Sequence, residues 1–280
     1  MDAKITELRK IATDIRLGAV TAVHSAKSGH PGGALSSADI LACLYFSQMR
    51  INPANPQDPD RDRFVLSKGH CSPALYSVLA HRGFFPVEDL KTFRKTTSYL
   101  QGHPDMKIIP GVDMSAGSLG LGISSACGMA LAAKVDKKDY RVYTIVGDGE
   151  SEEGQVWEAA MFAAHNKLSN LIAITDWNGQ QIDGTVDSVL GVGDLEAKWK
   201  AFGWNVIVAD GHNMEAILGA FKQAKENGAK EQKPVMILMK TNMGKGVDFM
   251  EGTCEWHGKA PKPELAEKAL AQLQETLGDY

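Results

Sequence analysis

Between Arg141 and Met239 four apolar, β-branched runs alternate with three helical patterns. The runs are Arg141–Val146, Leu171–Thr175, Trp204–Val208 and Val235–Met239. The helical segments between them are Glu152–Lys167, Asp194–Phe202 and Met214–Glu226. Strands that are apolar throughout lose both faces to solvent exclusion, and strand–helix alternation makes parallel crossovers. The fold class is therefore α/β: a mostly parallel sheet with helices on both faces.

The first half is less regular. Ile5, Leu8, Ile11, Ile15, Ala19 and Val23 recur at helical spacing and predict a helix over 4–27, ended by the breakers Ser28-Gly29-His30-Pro31-Gly32-Gly33. A second helix is predicted from Ser36 to Met49, a loop over 52–61, a short strand over Phe64–Leu66 and a helix over 72–81. Residues 83–116 read as irregular, and Gly120–Lys134 as a helix of small residues. Near the end, Leu265, Leu270, Leu273 and Leu277 form one stripe of a surface helix over 263–277. With no repeat or linker, one domain over 1–280 is the simplest organisation.

Charge and composition exclude several classes. Lys and Arg number 30 against 34 Asp and Glu, a net charge of −4, which argues against a basic nucleic-acid binder. No apolar stretch approaches the ~18 residues of a membrane span. Met1–Leu8 carries charge where a signal peptide needs an apolar core, so a cytoplasmic protein is expected. Cys43, Cys71, Cys127 and Cys254 form no CxxC pair and no zinc spacing, and read as reduced thiols.

The chemistry concentrates where two runs end. The run Val142–Val146 leads into Gly147-Asp148-Gly149-Glu150, and Leu171–Thr175 leads into Asp176-Trp177-Asn178. In open α/β sheets ligands sit beyond the carboxyl ends of the strands. Glycines admit close approach, and the helix N-terminus that follows favours an anion. By itself Gly-Asp-Gly is also an ordinary turn. A right-handed crossover, however, brings Asp148 and Asn178 to one sheet edge, within reach of one ion such as Mg²⁺. A backbone carbonyl in the loop after Asn178 is a candidate third ligand.

Gly147-Asp148-Gly149, a crossover and Asn178 resemble the thiamine diphosphate (ThDP) motif. The wider run Gly147–Ala160 resembles transketolase in particular. So do Asn170–Ile174, Gln181-Ile182-Asp183-Gly184, Ser28–Gly33, Ser67-Lys68-Gly69-His70, Gly102-His103-Pro104, Gly117-Ser118-Leu119-Gly120 and Trp256–Pro261, all in family order. The resemblance runs from about residue 5 to residue 275. It implies that Asp148, Asn178 and the Gln180 carbonyl bind a divalent cation, Mg²⁺ or else Ca²⁺ or Mn²⁺. It puts Gly149 and Glu150 among the cofactor-binding positions, Ile182 at the thiazolium ring, and Gly117, Ser118 and Leu119 near the aminopyrimidine. His70 and His257 would contact the diphosphate, and His30 and His103 substrate hydroxyls. Glu153 would belong to a carboxylate chain coupling paired active sites. Taken singly, each histidine fits a turn or loop, and Glu153 fits a helix-dipole partner. His24, His81, His165 and His212 match no motif and read as structural. Gly117–Gly122 follows no convincing strand, which argues against a dinucleotide loop.

Full-length transketolases carry further domains, among them a pyrimidine-binding one that activates the cofactor, and no segment here resembles it. The resemblance thus implies the N-terminal subunit of a split transketolase. That subunit would be inactive alone and would act on sugar phosphates with a separate C-terminal subunit in an α2β2 assembly. Residues 98–101 lack the proline common before Gly-His-Pro, which leaves acceptor choice open. Two other readings stand beside it. One is another ThDP enzyme subunit, like 1-deoxyxylulose-5-phosphate synthase or a 2-oxo acid dehydrogenase; the other is a non-catalytic cofactor-binding half-domain.

Overall fold

The computed structural model describes residues 3–276. The chain begins with α1 (Ala3–Ala26), α2 (Pro31–Ser36) and α3 (Ala38–Cys43), the last relaxing into a wider helical turn over Leu44–Gln48. Then come β1 (Arg63–Leu66), α4 (Ser72–Arg82), α5 (Leu121–Val135), β2 (Val142–Gly147), α6 (Gly154–His165) and β3 (Leu171–Trp177). A small hairpin, β4 (Gln180–Gln181) and β5 (Gly184–Thr185), precedes α7 (Val186–Leu190) and α8 (Leu195–Ala201). The rest is β6 (Asn205–Asp210), α9 (Met214–Glu231), β7 (Val235–Lys240) and α10 (Pro263–Thr276). Leu277, the predicted last residue of the C-terminal helix, lies outside the described residues.

Five strands form one parallel sheet in the order β1-β2-β3-β7-β6. Alternate residues feed two cores. Tyr143, Ile145, Ile172, Ile174 and Ile237 face α1, α3, α4 and α9. Val142, Val146, Leu171, Ala173 and Leu238 face α5, α6 and α8. That two-sided burial is why the strands read as unbroken apolar runs. Asp194 and Asn213 cap α8 and α9 by accepting from Ala197 and Ala216 backbone amides, both at 2.9 Å. A third cluster ties the chain's ends together: Val20 of α1 and Leu35 of α2 pack with Val247, Met250, Trp256 and, from α10, Ala269 and Leu273.

Two local expectations need correction. The second helix starts at Pro31, not Ser36, so the segment read as breakers is a helix start. Proline suits a first turn because its missing N–H has no partner there in any case. Gly32 and Gly33 are needed for contact: an added Cβ would come within 2.8 Å of Met243 and 2.7 Å of Cys71. The β4–β5 hairpin and α7 fall in a stretch with no periodicity and were not predicted.

Helix α5 offers a paired test of packing. A Cβ at Gly122 would lie 2.4 Å from Ser67 Cα, a backbone atom, whereas one at Gly128 meets nothing within 4 Å. Gly122→Ala is therefore expected to lower stability by about 1–3 kcal/mol through overpacking. Gly128→Ala is expected to raise it by about 0.4–1 kcal/mol. Urea midpoints of the two variants decide this; equal shifts would mean that α5 can slide away from β1.

Candidate active site

The register sets the site. Gly147 pairs with Asp176, so β2 and β3 end level and Asp148 and Asn178 leave from one edge. Asp148 is 2% exposed. Its Oδ1 accepts from Gly149 N at 2.9 Å and its Oδ2 from Gly179 N at 2.6 Å. Burial pushes its carboxyl up to about 7 against the pull of those two amides. Asn178 donates Nδ2 to Asp176 Oδ2 at 2.9 Å, which turns its Oδ1 the other way, to accept from Gln180 N at 3.0 Å.

Facing this edge is a cleft of about 460 Å³. Every sequence-predicted position but one borders it: His30, His70, His103, His257, Gly117, Leu119, Asp148, Gly149, Glu150, Glu153, Asn178, Gln180 and Ile182. Ser118 lies instead on an adjoining surface groove. Ile182 is 59% exposed and presents an apolar side chain at the cleft.

Three histidines from distant stretches form a triangle. His30 stands before α2, His70 follows β1, and His257 lies between β7 and α10. Their ring centroids are 5.0, 5.1 and 5.6 Å apart. Burial, then mutual repulsion with neighbouring cations, lowers His30 and His70 to about 4 and His257 to about 3. His103 is lowered too, by burial and then by Arg94 and His70. All four rings are thus neutral near pH 7, each with one donor and one acceptor nitrogen. Among the described residues the buried Nδ1 atoms of His30 and His257 find no hydrogen-bond partner.

An imidazole with a lowered folded value binds its proton more readily when unfolded. Stability is therefore fully present above pH ~6.5 and is lost as pH falls towards the folded values near 4. The raised Asp148 carboxyl works in the opposite sense over this window in parent and variant alike, so the expected result is a difference: between pH 6.5 and 4 the ThDP-free chain loses more melting temperature as the parent than as His70→Asn. An unchanged slope in that variant would assign the acid sensitivity elsewhere.

Several groups in the site escaped the sequence reading. Asp176 is wholly buried; its Oδ2 accepts from Lys68 Nζ at 2.5 Å and Ser36 Oγ at 2.7 Å, and its Oδ1 from Thr241 Oγ1 at 2.5 Å. Burial alone would raise the Asp176 carboxyl, but the Lys68 charge and the hydrogen bonds from Lys68, Thr241 and Ser36 together outweigh it and hold the group below the usual range. Lys68 also donates to Gly33 O at 3.0 Å. Met243 and Gln181 line the cleft, and Gln181 donates to Glu152 at 2.7 Å. The missed signal is an aspartate finishing an apolar strand, where burial demands a cation.

Glu150 is a brace. Its Oε1 accepts from Ser67 Oγ at 2.5 Å and Gly120 N at 2.8 Å, and its Oε2 from Gly147 N at 2.9 Å. It locks the Gly117–Gly120 loop onto the ends of β1 and β2. Glu153, exposed, stands just ahead of α6 without capping it.

The arrangement fits a diphosphate cofactor with a hard cation. Asp148, the Asn178 Oδ1 and the Gln180 carbonyl are all oxygen donors. Among the described residues no group of three or more His, Cys, Asp or Glu forms a separate metal cluster. The four imidazoles that border the same cleft, each with one donor and one acceptor nitrogen when neutral, suit a polar ligand.

Comparison with known proteins agrees. Residues 8–279 match the domain described as transketolase, thiamine diphosphate binding domain. The chain is 50% identical over 246 residues to the 6-deoxy-6-sulfo-D-fructose transketolase subunit SqwG of Clostridium sp. (strain MSTE9), covering 88% of each. It is 42% identical to an apulose-4-phosphate transketolase subunit of Phocaeicola vulgatus, over 99% of this chain and 96% of that one. The crystal structure of Campylobacter jejuni transketolase superposes with a TM-score of 0.89 at 36% identity, over 98% of this chain but 43% of that one. On these matches the chain belongs to the transketolase family, as its thiamine diphosphate-binding domain.

Proposed function

We propose that this chain is the cofactor-binding subunit of a two-subunit transketolase. With a separate C-terminal subunit, which supplies the pyrimidine-binding half, it moves a two-carbon ketol unit from a ketose phosphate to an aldose phosphate. The observation that carries this reading is the convergence of His30, His70 and His257, 5.0–5.6 Å apart, on the cleft that Asp148 and Asn178 close. The partner is supported by two relatives, matched over 88% and 96% of their own length, that are themselves named subunits. We further propose an α2β2 assembly in the cytoplasm, with residues 1–280 acting as one domain.

Thiamine diphosphate, when bound, supplies the electron sink for breaking and remaking a carbon–carbon bond beside a carbonyl. The chain's own groups hold and surround it. Asp148, Asn178 and the Gln180 carbonyl would bind the divalent cation, Mg²⁺ by default and Ca²⁺ or Mn²⁺ in its place. Gly149 would leave room for the diphosphate, and Glu150 fixes the loop whose Gly117, Ser118 and Leu119 would meet the aminopyrimidine. Ile182 would cover the thiazolium side. His70 and His257 would bond the diphosphate and flank the reacting carbons. His30 and His103, neutral at working pH, hold substrate hydroxyls and pass protons. Glu153 joins a carboxylate relay between paired sites.

The test is an assay of the chain alone and of its co-purified complex, with ketose phosphate, sulfosugar and 2-oxo acid donors. Ketol transfer only by the complex is the expected result. Turnover of a 2-oxo acid instead would place the chain in another ThDP class. ThDP binding with no turnover of any donor would make it a non-catalytic half-domain.

A further inference from the structure

A buried relay ends on the wall of the cleft. Arg16 of α1 donates to both oxygens of Asp39 in α3, at 3.0 and 2.5 Å. Asp39 Oδ2 also lies 2.7 Å from His212 Nδ1, in the turn between β6 and α9. On the far side of that ring, His212 Nε2 accepts the backbone N–H of Asn242 at 2.8 Å. This acceptor role leaves the ring proton on Nδ1, donated to Asp39, so the tautomer is set from both sides. Asn242 precedes Met243, which lines the cleft. The same segment is held at neighbouring points: Thr241 Oγ1 donates to Asp176, Gly244 N to Gly32 O at 3.0 Å, and Asn242 Nδ2 and Gly246 N to Glu251.

Fold stability alone gives little reason for this chain of charges. A buried ion pair replaced by well-packed apolar groups is often neutral or stabilising. What an apolar residue lacks is a fixed lone pair aimed at the Asn242 amide. We propose that His212 is a positioning residue for ThDP binding: Arg16 and Asp39 orient its ring, and the ring sets the Asn242–Gly246 loop so that Met243 closes the cleft against the cofactor. The proposal rests on the ThDP reading of the site.

Two variants isolate the contact. His212→Asn keeps a donor for Asp39, so no buried charge is stranded, but its shorter side chain holds its acceptor oxygen back from the Asn242 amide. His212→Gln, one methylene longer, carries its donor and acceptor out towards the positions of the two ring nitrogens. The chain, with the partner it co-purifies with, is titrated with ThDP and Mg²⁺ by calorimetry, and amide exchange is followed in parallel. The expected result is ThDP affinity about 10–100-fold weaker in His212→Asn and largely restored in His212→Gln. Exchange should speed up at Gly244 and Gly246 but not in β2 or β3. Parent affinity in His212→Asn, an equal loss in both variants, or exchange rising across the sheet would each overturn the positioning role while leaving the ThDP reading intact. A parent chain that binds no ThDP would remove both.

Discussion

Asp148→Ala is expected to weaken ThDP binding in the presence of Mg²⁺ by about two to three and a half orders of magnitude. In the proposed ligand set the Asp148 carboxylate would be the one negative charge among neutral protein oxygens. Removing one member of a desolvated charge pair costs about 3–5 kcal/mol, and each 1.4 kcal/mol is tenfold. The fold should survive, because Asp148 bonds the backbone amides of Gly149 and Gly179 and, among the described residues, braces no other side chain by hydrogen bond. Calorimetric titration with ThDP, with and without a chelator, measures the effect. Parent-like affinity that still depends on metal would place the cation elsewhere and remove the proposed ligand set.

Lys68→Met is the second large effect, and it acts on stability. It strands the Asp176 carboxylate with its hydroxyl and amide donors but no cation. Breaking such a pair from one side costs about 3–5 kcal/mol. At about 2–4 °C per kcal/mol for a chain of this size, the melting temperature should fall by roughly 6–20 °C. Cofactor binding should suffer as well, since Asp176 also turns Asn178. The pH window differs from that of the histidines. A carboxyl held low in the fold stabilises above its unfolded value and loses that contribution only as pH falls below about 4. A melting temperature within 2 °C of the parent in the Lys68→Met variant, a margin set by the roughly 2–4 °C per kcal/mol scale, would mean that Asp176 takes up a proton and needs no partner.

Much of this was legible because it was periodic or local. Apolar runs gave the strands, and the crossover placed Asp148 and Asn178 on one edge. The family order of short motifs picked out the four cleft histidines. What was missed depends on chain folding. Lys68 and Asp176 lie more than a hundred positions apart, and Asp176 follows a run that reads as ending at Thr175. Lys68 sits inside a family motif with no partner nearby in sequence to give it a role. His212 matched nothing, since its importance lies in a backbone amide of a residue thirty positions on. Pro31 misled because proline both ends and begins helices, and only the contacts of Gly32 and Gly33 decide between the two.

The histidine triangle also makes the cleft a clasp. His30 and His257 are more than two hundred positions apart, yet their rings lie 5.6 Å from each other. Each hangs beside the terminal cluster in which α1, α2 and α10 meet. A ligand touching both rings therefore cross-links the beginning and the end of the chain without a covalent bond. Its binding energy is added to the cost of lifting either end, by about RT ln(1 + [L]/Kd). With ThDP against His257 and a sugar substrate against His30, α1 and α10 should be guarded together against protease, and a nick in either segment should loosen the grip at the other.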